Sequence, residues 1–170
     1  MKKIFNLLVL FTVTLSVLLS SVGCGDTGDE KIEYSVENFT VLDWDLNERE
    51  LEEFIGKPIV INFWATWCGY CKMEMLDFDE AYKKYPEVQF MMIDHTDGRN
   101  ETVEKAKAYI VSEGYDFPVF FDTTLTATEK YGVTAFPTTV FISKDGNLVK
   151  SHRRMLSEAK LNEYIAMITQ

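Results

Sequence analysis

A chain of 170 residues, 46% of them hydrophobic, is long enough for one domain with a full core plus short appendages. Its formal net charge of -10 at pH 7 argues against nucleic acid as a partner, because an acidic surface repels the phosphate backbone. Beyond that exclusion the acidity reads as an ordinary solvated surface.

Lys2 and Lys3 precede an apolar run from Ile4 to Leu19, softened by Asn6, Thr12, Thr14 and Ser16, and small residues follow up to Gly23. This is the layout of an export signal, so residues 1–23 are expected to carry the rest of the chain out of the cytoplasm. The run is short for a bilayer span, and an uncleaved anchor is the competing reading. Ser21-Val22-Gly23-Cys24 resembles the lipobox of bacterial lipoprotein signals, with Ser21 where those signals prefer Leu. That resemblance implies that Cys24 becomes the first mature residue and carries a diacylglycerol thioether. Acylation would also remove an odd third thiol from an oxidising compartment, whereas the alternative is a free thiol. Residues 24–35, rich in Gly, Asp, Glu and Thr, read as a flexible tether, and residues 36–170 as the folded domain.

Within that domain, Phe39 to Leu42 and the following Asp43 to Asn47 predict a small strand pair or an extended lead-in. Leu51, Phe54 and Ile55 predict a short helical turn ended by Gly56-Lys57-Pro58. Pro58 to Phe63 is a short, mostly apolar, β-rich run of the kind a strand covered on both faces shows. Directly after it comes Trp64-Ala65-Thr66-Trp67-Cys68-Gly69-Tyr70-Cys71, and then Met75, Phe78, Tyr82 and Tyr85 fall at helical spacing. Two cysteines two residues apart therefore sit where a strand ends and a helix begins.

The unpaired amides and positive dipole end of a helix N-terminus stabilise an anion, which lowers the pKa of a thiol placed there. Cys68, at the helix mouth, is the expected nucleophile, and Cys71, one turn further in, is the expected resolving thiol. A CxxC pair near a βαβ pattern reads as a redox motif. The bland alternatives are a static disulfide and half of a zinc site, but a four-ligand zinc site needs a second pair of ligands that the chain does not supply at motif spacing.

Further on, Val88 to Ile93 predicts a second central strand. Asn100 is expected to cap a helix that carries Val103, Ala106 and Ile110 and closes at Gly114. Phe117 to Phe121 predicts a short strand, Leu125 to Tyr131 a short helix, and Thr138 to Ile142 another strand. Lys144-Asp145-Gly146-Asn147 signals a hairpin turn into Leu148-Val149. Ser157 opens a terminal helix with Leu161, Tyr164, Ile165 and Ile168 on its buried face.

The cysteine octapeptide, together with Gly132-Val133-Thr134-Ala135-Phe136-Pro137-Thr138-Thr139 far downstream, resembles the thioredoxin superfamily. Within it the chain is similar to the extracytoplasmic, membrane-anchored TlpA/ResA-like thiol-disulfide oxidoreductases, from about Asn38 to the end. The resemblance implies a thioredoxin-like three-layer α/β/α fold with a central mixed sheet. It also implies an N-terminal extension, and an inserted helix and strand, between Asn100 and Phe121, ahead of a cis Phe136-Pro137 bond facing the cysteines. A cis proline offers no N–H and leaves neighbouring backbone free to pair with an extended substrate. A trans proline at a strand start is the plain alternative. By the same resemblance Trp67, Gly69, Tyr70, Phe136 and Pro137 form the substrate-binding rim.

Asn62 stands where cytoplasmic thioredoxins carry a buried Asp, and it cannot exchange protons. Glu74, three residues after Cys71 and so on its side of the helix, matches a Glu of the ResA-like group. It is either a catalytic group that helps deprotonate Cys71 or a first-turn acid that favours the helix dipole. Leu76 replaces a Pro common in the family, and Tyr70 replaces the Pro of cytoplasmic thioredoxins. His95 and His152 receive no role, and no metal or cofactor beyond the redox disulfide is expected.

The function expected on this resemblance is reduction of protein disulfides, of the cytochrome c maturation type or more general. A membrane thiol donor would supply electrons to a lipid-anchored monomer on the outer face of the bacterial cytoplasmic membrane. A disulfide-forming oxidase or isomerase uses the same chemistry at another potential, and a non-catalytic binding module is the rival of another class. A peroxidase is disfavoured because no single cysteine stands in a Thr-x-x-Cys setting.

Overall fold

A computed structural model describes residues 36–170; the expected signal, the tether and Cys24 lie outside the described residues. In chain order the elements are β1 (Thr40–Leu42), β2 (Glu48–Glu50), a 3-10 turn (Leu51–Phe54), β3 (Ile59–Trp64), α1 (Gly69–Lys84) and β4 (Gln89–Asp94). They continue with α2 (Val103–Glu113), β5 (Val119–Phe121), α3 (Thr126–Lys130), β6 (Thr138–Ile142), β7 (Leu148–Arg153) and α4 (Glu158–Ile168). Among the described residues no helix is long and apolar enough to cross a membrane.

The strands form one mixed sheet in the order β2-β1-β5-β4-β3-β6-β7. β3, β4 and β5 run parallel, while β6 pairs antiparallel with β3, and β1 antiparallel with β5. β3 is an interior strand between β4 and β6, with all six of its residues buried. Strand side chains alternate between faces, so Ile59, Ile61 and Phe63 pack with Leu51, Phe120, Ala127 and Val140 on one side. Val60 and Trp64 pack with Met75, Phe78, Ile110 and Ile165 on the other. Helices α1, α2 and α4 thus cover one face, and α3 with the 3-10 turn covers the opposite one, completing the expected three layers. Each large apolar side chain buried there contributes roughly 1.5–3 kcal/mol. The same alternation aims Asn62 at α1, and a one-residue slip of β3 would turn it to the opposite face.

Several local expectations shift. Asn100 does not cap α2: Thr102 does, its side chain accepting from the Lys105 N–H. The Asp97 carboxylate takes the N–H groups of Arg99, Asn100 and Glu101 instead, and those bonds hold its pKa down at about 2. The partner of β1 lies at 48–50 rather than 43–47, because the Asp43 carboxylate accepts from Asp45 and Asn47 and makes that stretch the turn. β7 runs on to Arg153, paired with β6 except for a bulge at Val149. Gly114 closes α2 as expected, in the left-handed conformation (φ 73°) that a helix end of this kind needs.

Candidate active site

β3 delivers the chain to Trp64, and a short loop turns it into α1. Cys68 is the N-cap of that helix, in extended conformation, and its Sγ accepts from the Cys71 N–H at 3.1 Å. Cys68 and Cys71 are joined in a disulfide. The two sulfurs are covered unequally: Cys68 is 6% exposed, at the rim, and Cys71 is 0% exposed. The loop before Cys68 is clamped by Glu101, whose Oε2 accepts from the Thr66 N–H at 2.7 Å and from the Thr66 hydroxyl at 2.6 Å.

Around this rim stand the expected binding residues. Trp67 and Tyr70 are 54% and 66% exposed. A side chain at Gly69 would meet no atom within 4 Å, so the glycine leaves room for approach from outside. The Phe136-Pro137 bond is cis. The Phe136 ring lies edge-on to Trp67 (centroids 5.5 Å apart) and against His95 on its other flank (5.0 Å). Tyr70, Phe136, Pro137, Arg154 and Met155 line a groove of about 510 Å³. The Pro137 carbonyl is already engaged by the Arg154 N–H at 2.9 Å.

Behind the disulfide lies a polar cluster inside an apolar core. Glu74 is 1% exposed and stands on α1 beyond its first turn, which removes the reading of it as a first-turn acid serving the dipole. Its Oε1 accepts from Asn62 Nδ2 at 2.8 Å and its Oε2 from the Leu156 N–H at 2.7 Å. Asn62 Nδ2 also reaches the Thr139 hydroxyl, and Asn62 Oδ1 has no partner. Burial raises the Glu74 pKa to about 7, against the pull of the Leu156 and Asn62 donors. Leu76, in place of the family Pro, is exposed on an unbroken α1.

Two site features escaped the sequence reading. Glu101 lies in the β4–α2 loop, 35 residues from the Thr66 it holds, and no local pattern marks it. Its Oε1 and Asp94 Oδ2 are both buried without a partner, and burial, with the nearby Glu101 charge among its causes, raises the Asp94 pKa to about 8. Arg154, just past β7, enters the groove through a contact with Pro137 that only the folded chain makes. His95 bonds the Thr128 hydroxyl through Nδ1 and His152 rests near the Tyr164 ring. Among the described residues no three His, Cys, Asp or Glu side chains are grouped to hold a metal ion.

A strand-delivered CxxC at a helix mouth beside a cis proline can exchange electrons with another disulfide. The AhpC/TSA family pattern matches residues 32–151. The thiol-disulfide oxidoreductase ResA of Bacillus thuringiensis is 34% identical over 178 residues, covering 99% of each chain. Among solved structures, the exposed lipoprotein thioredoxin of Streptococcus pneumoniae is 28% identical, with a TM-score of 0.64, over 77% of this chain and 99% of that one. DsbF of Mycobacterium tuberculosis, solved in mixed oxidised and reduced forms, is 25% identical, with a TM-score of 0.69, over 76% of this chain and 94% of that one. The chain belongs to the AhpC/TSA family and is a thiol-disulfide oxidoreductase of the ResA-like kind.

Proposed function

We propose that the protein reduces protein disulfides outside the cytoplasm, with Cys68 as the attacking and Cys71 as the resolving sulfur. The observation that carries this reading is the joined Cys68–Cys71 pair at the mouth of α1, with Cys68 slightly exposed and Cys71 fully buried, next to Tyr70, which shares a groove with the cis Pro137. In the reduced enzyme the Cys71 N–H and the helix end favour the Cys68 thiolate. That thiolate attacks one sulfur of the substrate disulfide, a mixed disulfide forms, and the other substrate sulfur leaves and takes up a proton. Cys71 then gives its proton to the Glu74 carboxylate and attacks Cys68 Sγ, expelling the second substrate thiol. A carboxylate whose pKa lies at about 7 is matched to that transfer. Two electrons pass to the substrate and the Cys68–Cys71 disulfide re-forms.

With the Pro137 carbonyl engaged by the Arg154 N–H and the Ala135 carbonyl by the Thr138 hydroxyl, the Phe136 backbone is the group left to pair with an extended substrate, near the Trp67 and Tyr70 side chains. The apparatus needs no cofactor beyond the disulfide. The export signal and the lipobox-like Ser21 to Cys24 support a lipid-anchored monomer on the outer face of the cytoplasmic membrane, recharged by a membrane dithiol. The pneumococcal relative is itself named an exposed lipoprotein. Substrates of the cytochrome c maturation type, with two cysteines close together, suit the groove.

Cys71→Ser is the decisive variant. In cells it should accumulate a mixed disulfide between Cys68 and its substrate, while Cys68→Ser should trap nothing. Wild-type turnover surviving Cys68→Ser would remove the nucleophile assignment. The potential sets direction: a value close to the ~-270 mV of thioredoxin supports reduction, and one close to the ~-120 mV of DsbA would assign the reverse reaction.

A further inference from the structure

Arg154 is unusual among the cations of this acidic chain. It is the one charged side chain among the five residues lining the groove beside the cis proline. No carboxylate lies within ion-pair distance of its guanidinium among the described residues, so the charge at the groove is not already taken up within the chain. Its backbone has φ 91°, a left-handed conformation that costs a non-glycine residue on the order of 1–3 kcal/mol and persists only where surroundings impose it. Here the imposing contact is the Arg154 N–H bond to the Pro137 carbonyl, at 2.9 Å. The side chain therefore departs from a point fixed relative to the proline that faces the substrate.

Other cations stand close to it in sequence and near His152. His152, two residues earlier, is held below its ordinary pKa by burial first and then by the charges of Lys150, Lys160 and Arg154, against one backbone bond that raises it. Arg153 adds an exposed cation next in sequence. An unpaired guanidinium beside Phe136, Met155 and Tyr70 offers paired N–H donors at the edge of an open, largely apolar groove, where a carboxylate can be held by two bonds at once.

Resting on the reading of the Cys68–Pro137 face as the substrate site, we infer that Arg154 is a specificity-determining residue that selects protein substrates carrying Asp or Glu beside the cysteine under attack. Arg154 gains and loses no proton in the exchange. It orients the segment whose disulfide Cys68 reduces, and the electrons come from the enzyme's own dithiol. Substrates rich in Lys around the same cysteine are turned away by like charge.

The test uses the full chain, pre-reduced and freed of reductant, mixed by stopped flow with three peptides that each hold one internal disulfide. They differ only in having Asp, Ser or Lys on both sides of one cysteine. Each rate is divided by that of the same peptide with dithiothreitol, which removes the peptide's own reactivity. The Asp peptide should react roughly threefold to tenfold faster than the Lys peptide, with the ratio shrinking as salt is added. Arg154→Glu should invert the order, and Arg154→Lys should keep it with a smaller ratio. Equal normalised rates in the wild type, or an unchanged order in Arg154→Glu, would overturn the selectivity while leaving the exchange reaction standing. Failure of all three peptides to oxidise the enzyme would remove the site assignment and the selectivity with it.

Discussion

The backbone N–H of Leu156 donates to Glu74 Oε2 at 2.7 Å, joining the segment after β7 to the middle of α1. Two residues earlier the Arg154 N–H donates to the Pro137 carbonyl. The short strap from Arg154 to Leu156 is thus fastened at one end to the cis proline and at the other to the buried acid Glu74. An ionised Glu74 carboxylate holds the Leu156 N–H more strongly than a neutral one.

Glu74 should leave a signature in both kinetics and stability. Glu74→Gln removes the proton acceptor but keeps the volume, so resolution of the mixed disulfide should slow by about 10²-fold or more while the initial attack changes little. Stopped-flow traces that separate the two steps check this, and equal effects on both would deny Glu74 its role. For stability the folded pKa, about 7, lies above the ordinary 4.5. Its contribution is then fully present below pH 4.5 and is lost as pH rises through about 7, a swing on the order of 3 kcal/mol. Urea midpoints of the oxidised protein should fall over that window, on top of a similar trend from Asp94, and Glu74→Gln should flatten the Glu74 part.

Asn62→Asp places a second carboxyl against Glu74, where the amide Nδ2 now donates at 2.8 Å. Two buried carboxyls at that distance cannot both ionise, so the pair should keep one proton through neutral pH and titrate as a unit. Stability at pH 8 should drop by about 2–4 kcal/mol and recover at pH 5, read from urea unfolding at the two pH values. A pH-independent loss would mean that the pair does not couple.

Glu101→Ala strips two charge-assisted bonds from Thr66 and leaves a part-buried N–H without an acceptor. The expected cost is about 2–4 kcal/mol. Amide exchange at Thr66 should accelerate far more than exchange in β4, and uniform acceleration would point to global loosening instead.

Cys24→Ala tests the anchor, which depends on residues outside the described part of the chain. If acylation holds the protein to the membrane, the variant should move to the soluble fraction after cell breakage. Retention in the membrane fraction would assign the anchor to an uncleaved 4–19 segment.

How much of this was legible beforehand follows from the range of the contacts involved. β3, β4, β6, α1 and α4 were readable because their apolar spacing matches their own period, a property of neighbouring residues. The α2 cap was misplaced because Asn100 and Thr102 are both cap formers, and the choice fell to Asp97, which bonds the backbone between them. The partner of β1 slipped for the same reason at Asp43. Glu101 and Arg154 were invisible, since an isolated acid in a loop and a cation after a strand carry no pattern until Thr66 and Pro137 are brought beside them.

Eight consecutive residues and the periods on either side of them already encode a cysteine pair at the junction of a buried strand and a helix, because that information is local. Only the tertiary structure decided which sulfur is sealed, how far burial shifts Glu74, and which cation borders the groove. Those properties depend on water being excluded and on bonds between residues such as Glu74 and Leu156, 82 positions apart, and no local spacing records either.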